Sequence, residues 1–485
     1  MTTLLEHRYR AGEMHRFSAA GAQFVYLPQA GAIFALDEAT DGVLGLLGDG
    51  VAAHDDLVAA LTGQGMTMAD AEGLLRELRM VRLVEAENVV ARAPVVDTPP
   101  DDFPLQALVL NVTNQCNLAC TYCYEFGADK ISTQTGKTKY MTPETVRAAV
   151  DFLLESAKGR DAVHITFFGG ETLMNFRLLK EAVAYADARA AETGRRVTYS
   201  LTTNATLLTD PIIDFLAEHA VGVTVSIDGP EKLPDARRVY NSGKGSYAVI
   251  APRLKALIAR HTTRAIAARV TLSAGVTDVV GIYHHLKHEI GFHEIGFAPV
   301  TTTDDGHDFG LNGDGMSAVL AGFNALADEW LAYALRGEMH GFSNVSETLS
   351  ELVVGTNKSH PCGAGLGLLG VSPSGDLSPC HRFTDADDHV LGHIDSGVDQ
   401  AKRSDFLTRG HVGAKYECTS CWARPLCAGG CHHEAFVRYG DTGHANLHYC
   451  DWIRGWTDRV LDIYGTLAVK NPEFLDRFAD RKGLS

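Results

Sequence analysis

Between residues 105 and 300 the chain alternates short apolar runs with longer stretches of amphipathic spacing. Runs at 106–112, 163–168, 197–202, 221–227, 265–271 and 294–299 have the length and composition of strands. Between them, 143–157, 178–191, 212–218 and 248–259 place apolar residues at i, i+3 and i+4, the spacing of helices buried along one face. Strands separated by helices predict parallel βαβ units with right-handed crossovers. Six such units predict an α/β fold, a partial (β/α)6 barrel with its active site at the C-terminal strand ends.

The same patterns divide the rest of the chain. Residues 1–90 predict a small α+β module, with strands at 23–27 and 32–36 joined by a Pro/Gly turn and helices at 40–47, 55–61 and 69–78. A Pro- and Asp-rich linker is expected at 91–104, the barrel at 105–305 and a helical bridge at 306–355, centred on a helix at 316–334. A Cys- and Gly-rich region at 356–455 and a helical tail at 456–485 complete the chain.

Composition narrows the function classes. A net charge of −17 argues against a nucleic-acid partner, since phosphate binding needs a basic surface. No apolar run is long enough to span a bilayer, and the first residues lack a signal-peptide core, so a cytoplasmic location is expected. Thiols stay reduced there, and the ten cysteines read as metal ligands or catalytic thiols instead of disulfides.

Three of them, Cys116, Cys120 and Cys123, form a CxxxCxxC triplet just after the first predicted strand. Three thiolates cannot complete an all-cysteine zinc site. They can hold three irons of a [4Fe–4S] cluster and leave the fourth open. S-adenosylmethionine (SAM) can chelate that iron and be split reductively into a carbon radical. Polar residues follow at successive strand ends: Gly169-Gly170-Glu171, Thr203-Asn204, Ser226 and Asp228, then Asp235 and Arg238, and Arg269 with Thr271. The glycines allow close backbone approach to a ligand, the Glu171 carboxylate can meet an ammonium, and Arg238 can pair with a carboxylate. Tyr122, inside the cysteine loop, can cover an adenine ring. Singly, these residues read as turns or ion-paired side chains; their succession after the cysteine loop points to one polar ligand.

The triplet with Tyr122, Gly169-Gly-Glu171 and Ser226-Ile-Asp-Gly-Pro230 resembles the radical SAM superfamily over residues 105–300. The resemblance implies a catalytic [4Fe–4S] cluster on the three cysteines. It implies SAM contacts from Tyr122, Gly169, Gly170, Glu171, Thr203, Asn204, Ser226, Asp228, Arg238 and Arg269. The remaining seven cysteines resemble the SPASM pattern, which implies two auxiliary [4Fe–4S] clusters and three in all. The outer would sit on Cys418, Cys421, Cys427 and Cys450. The inner would sit on Cys362, Cys380 and Cys431, with an open iron or a non-cysteine ligand such as His360. Paired zinc knuckles are the alternative and would need His432 or His433, which otherwise read as helix residues near a cluster.

The N-terminal module resembles the precursor-recognition domain of peptide-maturing enzymes, which captures a leader by strand addition; a dimerisation or packing module is the alternative. The implied partners are a precursor polypeptide with a leader and a reductant such as flavodoxin or ferredoxin. Sulfatase-maturing enzymes generally place an Asp after the second SPASM cysteine, where this chain has His381. Cys380-His-Arg-Phe383, with segments 226–230, 239–247, 24–26 and 33–36, resembles quinohemoprotein amine dehydrogenase maturation proteins. That resemblance implies thioether cross-links from Cys sulfur to a methylene carbon of Asp or Glu in the dehydrogenase small subunit. Asp235 is the expected base, or else a helix cap or an ion-pair partner of Arg237 or Arg238; His381 is a second candidate. Other peptide-modifying radical chemistries (another thioether, a carbon–carbon link, formylglycine formation) and a non-enzymatic zinc adaptor remain as alternatives.

Overall fold

The computed structural model describes residues 8–89, 96–97, 99–127, 129–133, 136–303 and 307–479. Parts of the expected linker (91–95 and 98), the barrel boundary at 304–305 and the end of the expected tail (480–485) lie outside the described residues.

Among the described residues the N-terminal module holds six strands: β1 (Arg8–Ala11), β2 (His15–Ala19), β3 (Ala22–Leu27), β4 (Ala32–Leu36), β5 (Val51–Ala53) and β6 (Val84–Ala86). They form two antiparallel sheets, ordered β5-β1-β6 and β2-β3-β4. Helices span Glu38–Leu47, His54–Gly63 and Met68–Met80. The first and third start at side-chain caps, where Asp37 accepts from the Thr40 amide and Thr67 from the Asp70 amide. Leu57, Leu61, Leu75 and Leu78 of these helices pack with Tyr9 and Val25 into a separate small core. The module is docked on the C-terminal region. His15 stacks on Trp422 with ring centroids 3.6 Å apart and planes at 6°. Arg424 grips both carboxylate oxygens of Glu13. Along the helix Cys450–Lys470, a Cβ at Gly465 would stand 2.7 Å from that of Ala19, so the glycine lets β2 lie close.

The barrel strands are β7 (Ala107–Asn111), β8 (Ala162–Phe168), β9 (Arg196–Thr203), β10 (Gly222–Ser226), β11 (Ile266–Leu272) and β12 (Glu294–Pro299), parallel and adjacent in chain order. Their outward residues, among them Ile165, Phe167, Leu201, Val225 and Val270, are buried in the main core. The inward set is polar. His164 pairs in register with Thr198, Thr166 with Ser200, Thr202 with Thr224, and Ser226 with Arg269. His164 bonds Thr198 and Ser200 at 2.8 Å each, and Thr166 bonds Ser200 at 3.0 Å. These partly buried groups satisfy one another and keep the lumen polar.

The sheet does not end at β7. A strand from the cysteine-rich region, β13 (Leu368–Val371), pairs parallel to β7, and β14 (Asp376–Ser378), β15 (Gly392–His393) and β16 (Gly397–Val398) continue antiparallel, giving ten strands. The bridging helices Gly313–Leu335 and Ser343–Val353 pack with Cys450–Lys470. Phe323 meets Phe342 and Trp456 there, with ring centroids 5.2 and 5.1 Å apart. The expected boundary at 455/456 therefore falls inside a helix that carries Cys450 at its first turn. Among the described residues no helix is long and apolar enough to cross a membrane.

His340 lies against this bridge, stacked on Tyr283 with centroids 4.5 Å apart. Burial, opposed by the nearby Glu329 carboxylate, pushes its imidazole down to about 4. The unfolded ring takes up its proton near pH 6.5 while the folded ring refuses it. Stability is therefore complete above about pH 6.5 and is lost as pH falls towards 4, by on the order of 3 kcal/mol. Denaturant titrations of His340→Phe across that window should show a shallower fall than the parent.

Candidate active site and cysteine sets

A cavity of about 520 Å³ opens at the C-terminal ends of the barrel strands and is lined by Cys116, Cys120 and Cys123. Of the sequence-predicted residues, Tyr122, Gly169, Gly170, Glu171, Thr203, Asn204, Ser226, Arg238, Arg269 and His381 share its walls. Asp228 and Asp235 do not.

The cysteine loop is held from beneath. The amides of Gly170 and Glu171 donate to the carbonyls of Thr113 and Gln115 at 3.0 and 2.9 Å. A Cβ at Gly169 (φ +137°) would lie 2.3 Å from the Thr113 oxygen, and one at Gly170 would lie 2.4 Å from the Gln115 oxygen. The glycines are thus needed for contact between the end of β8 and the cysteine loop. Both glycines also line the cavity, so this contact stands beside their expected approach to a ligand. The Asn204 side chain reaches the Cys116 sulfur at 3.9 Å, and the Leu118 amide reaches it at 3.5 Å.

Glu171 is buried, and its oxygens accept from the Leu173 amide (3.1 Å), the Thr203 hydroxyl (2.6 Å) and the Asn204 amide (2.7 Å). Burial raises its pKa and these three bonds oppose the rise. The carboxylate therefore organises the ends of β8 and β9 around the cavity. Tyr122 is fixed by its hydroxyl, which bonds Asp228 at 2.5 Å and receives Arg238 at 2.6 Å. Asp228, fully buried, also accepts from the Thr271 amide at 3.2 Å. It acts behind the wall, holding Tyr122 and Arg238 in place.

Asp235 takes the plainer of its two expected roles. Its carboxylate accepts from the Tyr247 amide at 2.8 Å, in the first turn of the helix Tyr247–Arg260. Gly245 lies so close that a Cβ there would stand 2.1 Å from the Asp235 carboxyl carbon. This geometry gives Asp235 no route to the cavity and does not support it as the base. His381 does face the cavity, its ring 4.4 Å from that of Phe168. Burial and the adjacent Arg382 push its pKa down to about 3, so it is neutral and a weak proton acceptor. Arg382 and Tyr124, not singled out from the sequence, also line the cavity. The guanidinium stacks 4.7 Å over the Tyr124 ring and donates to the Thr301 hydroxyl at 3.0 Å. Their places beside Cys380 and Cys123 were the available signal.

Burial pushes the Cys116 thiol up to about 12 and Cys123 to about 11, with Cys120 raised in the same direction. Such thiols become ligands by giving up protons to a metal. In the C-terminal region Cys418, Cys421, Cys427 and Cys450 line one enclosed pocket, the set expected for the outer cluster. Cys431 acts on the ionisation of both Cys362 and Cys380, and Cys362 on that of Cys380, so the three form a second neighbourhood. Cysteine-only sets of three, four and three suit iron–sulfur clusters by donor chemistry. Among the described residues, no three His, Cys, Asp or Glu side chains converge on a single metal ion.

His360 is not free to complete the inner set. Its ring nitrogens bond the Leu407 carbonyl at 2.8 Å and the Ser359 hydroxyl at 3.0 Å. His432 and His433 open the helix His432–Tyr439 beside Cys431, as expected, and both are buried with no hydrogen-bond partner on any ring nitrogen.

Residues 110–279 match the family model of the Radical SAM superfamily. The chain is similar to a serine-type anaerobic sulfatase-maturating enzyme of Bacteroides thetaiotaomicron, with 27% identity over 370 residues, covering 71% of this chain and 86% of the relative. It is also similar to a cysteine-type anaerobic sulfatase-maturating enzyme of Clostridium novyi, at 22% identity over 74% of this chain and 95% of the relative. Among solved structures, native anSMEcpe with bound AdoMet and Cp18Cys peptide superposes with a TM-score of 0.62 at 20% identity, covering 77% of this chain and 99% of that one. At that identity the superposition shows the shared α/β radical SAM fold.

Proposed function

We propose that this chain, which carries a radical SAM domain, is a maturase that alters a side chain of a polypeptide substrate. The observation that carries the reading is that Cys116, Cys120 and Cys123 share one cavity with the polar ends of four neighbouring strands, large enough for a nucleoside-sized cofactor and a substrate side chain. When bound, a [4Fe–4S] cluster with SAM supplies a 5′-deoxyadenosyl radical. The protein's own part is to hold the cysteine loop through Gly169 and Gly170. It also orders the polar wall through Glu171 and Asp228 and walls the site with Phe168, Tyr122 and Tyr124 against solvent. The two C-terminal cysteine sets support two further clusters. A polypeptide substrate fits the relatives named as sulfatase-maturating enzymes, and they favour oxidation of a Cys or Ser side chain as the reaction.

A second reading, a Cys-to-Asp/Glu thioether, has a specific observation in its favour. Arg269 and Arg382 line the cavity and would offer guanidinium groups to an acidic side chain, with the Glu347 carboxylate also acting on Arg269. His381, a weak proton acceptor, stands where the sulfatase-maturing pattern has an Asp. Among the described residues β4 pairs with β3 alone, and its other edge offers a place for an added leader strand.

One experiment separates the readings. The reconstituted, reduced protein is incubated with SAM and either a sulfatase-derived peptide or a peptide carrying Cys near Asp and Glu. Formylglycine gives an aldehyde that a hydrazide traps. A thioether loses two hydrogens, blocks thiol alkylation and yields no hydrazone. Deoxyadenosine formation with neither product would retain the radical SAM assignment and remove both substrate choices.

A further inference from the structure

We propose that Lys415 is the counter-cation of the two C-terminal cysteine sets and raises the reduction potential of the clusters they hold. The proposal rests on the cluster reading above. Lys415 is fully buried, and its ammonium has no hydrogen-bond partner. Gly429 (φ +82°), which lines the outer cysteine pocket, lies over the side chain. A Cβ there would come within 2.6 Å of Lys415 Cδ and 2.9 Å of Nζ. The glycine therefore brings the ammonium up against the wall of that pocket.

An ammonium removed from water without a partner is among the costliest groups a fold can bury, unless opposite charge stands close by. The negative groups that act on Lys415 are Cys418 and Cys427 of the outer set, Cys431 of the inner set and Glu417. Glu417 already faces His444 at 3.3 Å. The remaining three come from both sets, and Gly429, against which the ammonium lies, stands two residues after Cys427 and two before Cys431, so the cation sits beside the segment that joins the sets. Clusters ligated by thiolates carry net negative charge, and a fixed positive charge nearby favours the reduced form, because local charge helps to set the potential. A single lysine so placed tunes both auxiliary sites together, while none of Cys116, Cys120 and Cys123 is among the groups that act on it.

The test is Lys415→Met in the full chain, reconstituted without oxygen and followed by redox titration with electron paramagnetic resonance. The expected result is a shift of the auxiliary signals to lower potential with the SAM-responsive signal unmoved, and recovery of the parent potentials in Lys415→Arg. Unchanged auxiliary potentials in Lys415→Met, or an equal shift of all signals, would overturn the proposal. Should Lys415→Met fail to fold or lose its C-terminal iron, Lys415→Arg decides. Restored loading and potentials sustain the charge, while failure of both variants assigns the residue to packing and overturns it. Parent protein lacking any iron–sulfur signal would sink the cluster reading itself, an outcome seen before any variant is made.

Discussion

Replacement of Cys120 by alanine is expected to abolish reductive cleavage of SAM, taking deoxyadenosine formation down to the protein-free background. It should remove about a third of the bound iron, since the C-terminal sets keep their own thiols. The reasoning is geometric. The three cysteines line one cavity and come from one short loop, so no other thiol among the described residues is placed to substitute. The loop itself is anchored elsewhere, through the Thr113 and Gln115 carbonyls on the end of β8, so the variant should fold. Iron analysis with a deoxyadenosine assay checks this. Parent-level cleavage by Cys120→Ala would refute the assignment of the first cysteine set.

The second large effect is expected at Glu171, through architecture more than through contact with a ligand. Alanine there strands the Leu173 amide, the Thr203 hydroxyl and the Asn204 amide in a buried setting. Each abandoned donor costs about 1–3 kcal/mol, so a total loss of about 3–5 kcal/mol is expected after partial rearrangement. Asn204 also touches the Cys116 sulfur, so SAM affinity should fall at least ~10-fold, which corresponds to about 1.4 kcal/mol. Glu171→Gln keeps one carbonyl acceptor and should lose less than half as much stability. Denaturant unfolding and equilibrium SAM binding, measured on both variants, test the two claims separately. Equal stability of Glu171→Ala and parent would contradict the bonding described.

The six barrel strands were legible because each presents a short apolar face to its helices, and β-branched or aromatic residues recur along most of them. The strands of the N-terminal module divided on the same ground. Gln23–Leu27 and Ala32–Leu36 are apolar enough to see, whereas Arg8–Ala11 and His15–Ala19 carry arginines and a histidine and alternate over only four or five residues, too few to stand out. Strands β13 to β16 are two to four residues long and interrupted by glycine, too short for any period to register. The SPASM resemblance, and not spacing alone, grouped Cys418, Cys421 and Cys427 with Cys450 from a separate helix, and the four line one pocket. Asp235 shows the limit. A carboxylate near a strand end looks alike in sequence whether it faces substrate or binds a backbone amide, and the deciding contact is with Tyr247, twelve residues on. Lys415 lay beyond reach for a similar reason, since nothing local marks a lysine as interior.

The pairing of β13 with β7 bears on how this protein can be taken apart. Ala-Leu-Val-Leu-Asn, the whole of β7, is interior on both faces, and one of its two edges is covered by residues 368–371. Polypeptide halted ahead of that segment would bare a flat, greasy ribbon of unclaimed amides and carbonyls, the kind of margin along which chains stick to one another. Dissecting the catalytic half away from its cysteine-rich companion should thus yield precipitate, and the two halves have to be inherited, expressed and engineered as one piece.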